Sequence, residues 1–173
     1  GDLTKKYLTI AVAGSHGKST TTSLIALILT AAGFDPTVIV GTKLREFSDP
    51  DNWREVWLSQ GRSVGSNFRK GSSPVLVIEA DEWGGSFWNY YPVLTVITNV
   101  DKEHLDFYKT ERRVRSAFKK FIMRLRSGGN LVVNADDQPA LSIAESLLKK
   151  HPRRFKKKIH FFINFVSPKC TVF

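Results

Sequence analysis

Apolar positions along the chain fall into two textures. Short runs such as Val75-Leu76-Val77-Ile78 and Val93-Leu94-Thr95-Val96-Ile97 are apolar without alternation, which is what parallel strands covered on both faces require. Longer segments repeat at helical spacing: within 111–126, Val114, Phe118, Phe121, Ile122 and Leu125 share a stripe, while Arg112, Arg113, Arg115, Lys119, Lys120, Arg124 and Arg126 lie mostly on the other side. The pattern predicts strands over 7–13, 37–40, 75–80, 93–98, 130–134 and 158–163, and helices over 18–32, 111–126 and 137–149. The stretch 41–73 reads as irregular apart from a short helix around Asn52 to Leu58, and is longer than connections in compact domains usually are. Strand and helix alternate, so the expected fold is α/β, a doubly wound and mostly parallel sheet. Ligands in such sheets collect at the carboxyl ends of strands. Gly14, Glu79 to Glu82 and Asn99 to His104 should therefore converge on one edge.

The segment Gly14-Ser15-His16-Gly17-Lys18-Ser19-Thr20-Thr21 joins the strand-like run Leu8 to Ala13 to a helix-like apolar run, Leu24 to Ala32. Glycines let main-chain N–H groups turn inward around a phosphate, and the following helix adds its positive end. Lys18 supplies a full charge, and the Ser19 hydroxyl can ligate Mg²⁺ carried by the same nucleotide. Val12 stands where the common pattern has its first glycine, so the loop is a shortened variant. A plain helix entry capped by Ser or Thr is the competing reading; the flanking strand and helix favour a phosphate-binding loop.

Two further groups lie just after apolar strands. Glu79-Ala80-Asp81-Glu82 is too acidic for a core position. It reads either as metal-ligating, with Glu79 the first candidate for Mg²⁺, or as a set of caps and surface ion pairs. In Thr98-Asn99-Val100-Asp101-Lys102-Glu103-His104-Leu105-Asp106, a lone histidine would ordinarily be structural, but the position of His104 at the sheet edge raises its candidacy as a ligand.

Composition changes this picture little. The 173 residues are 42% hydrophobic and 24% charged, which suits one globular domain. The single cysteine, Cys170, cannot form an internal disulfide, so a reducing, cytoplasmic setting is expected. No signal peptide is visible, and the longest wholly apolar run, Leu24 to Leu29, is too short to cross a bilayer. A net charge of +10 invites a nucleic-acid reading. Much of the excess sits in Arg112 to Arg126 and His151 to Lys158, read as solvated faces, so no nucleic-acid partner is expected.

Ala11-Val12-Ala13-Gly14-Ser15-His16-Gly17-Lys18-Ser19-Thr20-Thr21-Thr22, Glu79-Ala80-Asp81-Glu82 with Gly85-Ser86-Phe87, Thr98-Asn99-Val100 with Glu103-His104-Leu105-Asp106, and Asn134-Ala135-Asp136-Asp137 together resemble the Mur ligases. His16 within the loop, and the acidic motif followed by Ser86-Phe87, look most like the alanine-adding branch. The resemblance implies a central ATPase domain with a P-loop over residues 1–150, truncated, and a basic, aberrant tail over 151–173. The family's N-terminal UDP-binding domain and C-terminal ligase domain would be absent. It also implies an ATP- and Mg²⁺-dependent ligase that joins L-alanine to the lactyl carboxylate of UDP-N-acetylmuramate through an acyl phosphate, in peptidoglycan precursor synthesis. A recycling ligase that attaches a ready-made tripeptide to UDP-N-acetylmuramate, and a stand-alone ATP-binding module, are the alternatives.

Carried over by resemblance, Gly14, Ser15, His16, Gly17, Lys18, Ser19, Thr20 and Asn99 would bind the nucleotide, Ser19, Glu79 and His104 the metal, and Lys18, Glu79 and His104 would serve catalysis. Ser15 and Ser19 stand where the family more often has threonine, which keeps both hydroxyls, and Trp83-Gly84 replaces a usual Ser-Asp. A carbamylated lysine found in several relatives is not expected in this chain: Phe118 aligns with its position, and Lys119 falls on the charged face of its helix. Arg69 is expected as a solvent-exposed loop residue with a substrate-side role as the alternative. Trp83, Phe87, Trp88, Tyr90 and Tyr91 are expected to pack against a neighbouring domain.

Overall fold

The computed structural model describes residues 1–44 and 65–162. The short helix expected near Asn52 to Leu58 and the tail beyond residue 162 lie outside them. Seven strands form one sheet: β1 (Leu8–Ala13), β2 (Thr37–Leu44), β3 (Ser66–Arg69), β4 (Val75–Glu79), β5 (Leu94–Ile97), β6 (Asn130–Asn134) and β7 (Ile159–Phe162). Their order is β3-β2-β4-β1-β5-β6-β7, parallel throughout except for the β2/β3 pair. The chain leaves β1 through helix α2 (Lys18–Ala31) towards β2 on one side. It leaves β5 through α4 (Glu111–Ile122), and β6 through α5 (Gln138–Lys150), on the other. β1 therefore sits at the point where the winding reverses, the place where open α/β sheets bind ligands.

The expected doubly wound, mostly parallel sheet is the observed one, and its central strands are as buried as their unbroken apolar runs required. Ala11, Val12, Ala13, Leu76 and Val77 are fully buried. The larger core lies under α4 and α5, where Phe87, Phe118, Phe121, Ile122, Ile143 and Leu147 pack together; a smaller one lies under α2, around Ala26, Val38, Val40 and Val77. Burying each of the Val, Leu, Ile and Phe side chains contributes about 1.5–3 kcal/mol.

Helix boundaries follow caps. Thr110 accepts from the Arg113 N–H and Asp137 from the Ala140 N–H, which fixes where α4 and α5 begin. The expected helix 111–126 stops at Ile122, because Arg124 and Leu125 bond back three residues to Phe121 and Ile122 and the last turn tightens. Four short elements had no periodic signal: α1 (Asp2–Lys6), a 3₁₀ turn over Trp83–Asn89, α3 (Leu105–Tyr108) and α6 (Pro152–Phe155).

Two expectations are corrected. Arg69 is not a free loop residue: it lies on β3 and donates to the Asp35 carboxylate and, at 2.9 Å, to the Pro36 carbonyl, tying the sheet edge to the end of the α2–β2 connection. Three of the five aromatics, Phe87, Trp88 and Tyr90, serve their own domain's core. Phe87 is fully buried, stacked on Phe121 at 4.7 Å and edge-on to Phe118 at 5.5 Å, and the Trp88 indole N–H donates to the Ala117 carbonyl. Only Trp83 of the five is largely exposed. Phe118 is a core residue and Lys119 half-buried.

Candidate functional site

Register alone brings three motifs together. β1 lies between β4 and β5, with Val12 opposite Glu79 and Ala13 opposite Ile97. Their carboxyl ends deliver Gly14, Ala80 and Thr98 side by side, and the bonds continue past the strands: Ala80 N–H to the Val12 carbonyl at 2.8 Å, Ser15 N–H to the Asn99 carbonyl at 3.2 Å.

The loop between β1 and α2 is held by its neighbour strand. Gly14 adopts φ 149°, and a Cβ there would lie 2.0 Å from the Thr98 hydroxyl and 3.1 Å from the Asn99 nitrogen. Only glycine fits this close approach. Gly17, at φ 77°, is the left-handed N-cap of α2. Between them His16 is clamped by the Asn99 amide, which accepts from the His16 N–H at 2.7 Å and donates to the His16 carbonyl at 3.0 Å. The Thr98 hydroxyl donates to the same carbonyl at 2.7 Å, and the buried Ser15 hydroxyl accepts from the Asp101 N–H at 2.8 Å. The His16 ring is exposed and faces Glu103 at 3.3 Å and Asp101 at 3.7 Å. The first N–H groups of α2 have no acceptor within the helix, and its 14 residues add a positive N-terminal end. A glycine-shaped cradle over a helix start, with Lys18 beside it, fits a phosphate group.

The end of β4 and the turn after it send two glutamates to different partners. Glu79, at the strand's end, accepts from the Gly41 N–H at 2.6 Å, and a Cβ at Gly41 would come within 2.9 Å of both carboxylate oxygens. Glu82 is 1% exposed and receives the Lys18 ammonium at 3.2 and 3.3 Å. Lys18 also donates to the Gly14 carbonyl at 2.7 Å and the Ser15 carbonyl at 3.3 Å. The His104 ring approaches Glu82 at 3.5 Å, and the Tyr108 hydroxyl donates to the Glu82 carbonyl. Burial pushes the Glu82 carboxyl above its usual range against the pull of Lys18. Burial and the neighbouring carboxylates of Glu82 and Asp81 push the Tyr108 phenol up to about 12.

Asp81, Glu82 and His104 each offer a ligand atom within 4.8 Å of the others, a set in which two carboxylates suit a hard divalent cation. His104 sits at φ 54° as the residue that opens α3. A non-glycine residue held in the left-handed region is uncommon and is concentrated at functional sites.

Of the residues singled out from the sequence, Gly14, Ser15, His16, Gly17, Lys18, Ser19, Thr20 and Asn99 form one continuous loop-and-clamp unit, and His104 stands across from Lys18 with Glu82 between them. Glu79 lies on the same edge but turns to Gly41. Sequence reasoning missed Glu82 as the partner of Lys18. Its signal was present in the acidic motif, three positions after Glu79, but spacing in a non-helical turn does not say which way each side chain points.

Residues 12–161 match the family model described as the Mur ligase middle domain. The chain is 45% identical over 144 residues to the UDP-N-acetylmuramate–L-alanine ligase of Aquifex aeolicus, a match covering 83% of this chain and 27% of that protein. Its fold is similar to the crystal structure of the UDP-N-acetylmuramate-alanine ligase of Thermotoga maritima, with TM-score 0.64 and 29% identity over 82% of this chain and 28% of that one. A similar match, TM-score 0.63 and 25% identity over 82% of this chain and 44% of the other, is to the UDP-N-acetylmuramate:L-alanyl-gamma-D-glutamyl-meso-diaminopimelate ligase from Neisseria meningitides. The chain thus spans between a quarter and a half of the length of these proteins.

Proposed function

Because the chain belongs to the Mur ligase family, we propose that it is the ATP-handling part of a ligase joining L-alanine to the lactyl carboxylate of UDP-N-acetylmuramate in peptidoglycan precursor synthesis. The observation that carries this reading is the placing of Glu79 and His104 on the sheet edge that holds the glycine loop and Lys18. A module that only bound nucleotide would need the loop but not this acid and this histidine beside it.

In this reading the N–H groups of the loop and of the first turn of α2 cradle the β- and γ-phosphates, and Lys18 neutralises the charge of the transferring phosphoryl group. The lactyl carboxylate attacks the γ-phosphorus and ADP leaves, giving an acyl phosphate. The amine of alanine then displaces phosphate and loses a proton to form the amide. No nucleophile from the protein is required, so catalysis is positioning and charge stabilisation. Mg²⁺, when bound, adds neutralisation of the phosphate oxygens, and Ser19, Glu79 and His104 are the residues proposed to hold it. The acidic residues here suit that ion; a histidine is a less usual partner for it. The central ATPase domain in this proposal runs past residue 150 to take in β7, and works with UDP-sugar-binding and amino-acid-delivering domains. A cytoplasmic place of work belongs to this proposal; no helix among the described residues is long and apolar enough to cross a membrane.

The test is a hybrid in which residues 12–161 replace the matching segment of the Aquifex aeolicus ligase. Phosphate release that requires ATP, UDP-N-acetylmuramate and L-alanine together is expected. Release with the tripeptide but not with alanine would move the assignment to the recycling type, and a folded, ATP-binding hybrid without acceptor-dependent release would leave only a nucleotide-binding module.

A further inference from the structure

Glu82 has no task in the reaction just described, yet it is the only acidic residue among the fully buried ones described. Its place is held from several sides: the Tyr108 hydroxyl and the Gly85 N–H both donate to its carbonyl, and fully buried Phe87 follows in the same turn. The carboxylate meets Lys18 at 3.2 Å and His104 at 3.5 Å. Lys18, whose side chain is 14% exposed, donates at the same time to the carbonyls of Gly14 and Ser15. The ammonium on which phosphate binding depends is therefore folded inward beneath its own loop with its charge already matched.

We infer that Glu82 is a positioning residue, a buried counter-ion that stations Lys18 beneath the loop and competes with the nucleotide's outer phosphates for it. The inference rests on the reading of the loop as an ATP site. Two electrostatic effects act in the same direction. Phosphate must draw Lys18 away from a carboxylate in a poorly solvated place, where a charge-assisted bond is strong. The carboxylate also stays behind as a negative charge close to the incoming one. Together they mean that affinity is given up to hold the lysine ordered and charged before nucleotide arrives. The class of ligand affected is nucleotides with phosphates beyond the first, because the lysine of such loops reaches the β- and γ-phosphates.

The experiment is calorimetric titration of the chain with ATP, ADP and AMP, comparing the wild type with Glu82→Gln, which keeps the shape and removes the charge. ATP and ADP are expected to bind about fivefold to tenfold more tightly to Glu82→Gln, with AMP unchanged. A residue that merely supported the turn would weaken binding or leave it alone, so equal or weaker ATP binding by a folded Glu82→Gln overturns the inference. If that variant does not fold, Glu82→Asp draws the carboxylate back by one methylene and should tighten ATP by about twofold; no tightening there overturns it equally. Lys18→Gln separates this inference from the one beneath it. Undiminished ATP affinity in Lys18→Gln would sink the loop assignment and the inference together, whereas loss there combined with no gain in Glu82→Gln would sink the counter-ion role alone.

Discussion

The loop after β1 and the turn after β4 end side by side on the same sheet edge, and they are built by opposite means. The loop is made of backbone: Gly14 and Gly17 set its path, and the Asn99 amide and Thr98 hydroxyl fasten it through main-chain groups. The turn is made of side chains, with Glu79 directed to Gly41 and Glu82 to Lys18 and His104. Backbone geometry leaves its mark on residue type, since few positions tolerate the required approach and those that do are glycine. Side-chain direction leaves none. The anion side of this site is specified locally, while the acidic side depends on which strands become neighbours.

The sharpest way to break this contrast is to give the loop a side chain. Gly14→Ala would set a Cβ 2.0 Å from the Thr98 hydroxyl, and overpacking together with backbone strain should cost about 2–5 kcal/mol. A loss of stability in thermal unfolding under about 1 kcal/mol would mean that β1 and β5 can part at this end. Next in size is Lys18→Gln, which keeps a donor for Glu82 but removes the charge that phosphate needs. ATP affinity should fall by about 10- to 150-fold, the worth of a hydrogen bond to a charged group, measured by calorimetry against an unchanged fold by circular dichroism. Glu79→Gln tests the acidic side. It leaves an acceptor for the Gly41 N–H without the charge, so stability should drop by only about 0.5–1.5 kcal/mol, while Mg²⁺-dependent ATP turnover by the hybrid ligase should fall steeply if the proposed metal role holds. Full turnover by Glu79→Gln would instead shift the metal to the Asp81, Glu82 and His104 set.

The same contrast explains which features are legible in the amino-acid sequence alone. The parallel strands show as unbroken apolar runs, α4 as a stripe of Val114, Phe118 and Phe121 opposite arginines, and the loop as glycines between strand and helix. Each is a local property, with period or residue type fixed within a few positions. β3 is not legible, because Ser66–Arg69 is a strand only through pairing with β2, Val38 opposite Arg69 and Ile39 opposite Phe68. The Lys18–Glu82 pair spans 64 positions and exists because β1 and β4 are neighbours. The aromatic cluster is legible as a cluster but not in its direction: Phe87 faces inward on Phe121, which only the packing of α4 against the 3₁₀ turn decides.

A third carboxylate, Asp35, is held by partners as the other two are, but in solvent. Asp35 lies away from the sheet edge that carries the site and is half-exposed, yet the Ser72 N–H and hydroxyl and the Arg69 guanidinium hold its carboxyl down at about 2. A carboxyl held below its unfolded value of about 3.8 binds fewer protons in the folded chain than in the unfolded one. It therefore stabilises fully above that value, and its contribution fades as pH falls from about 4 towards 2. Asp35→Asn should lower the wild-type melting temperature slightly at pH 6, and the gap between the two proteins should narrow as pH drops through that window. Because the pair is solvated, the effect should be the smallest of those described and should shrink further in high salt. A gap that stayed constant with pH would mean that Asp35 acts through its shape, as an acceptor for Ser72, and that charge matters only where burial removes water, as it does at Glu82.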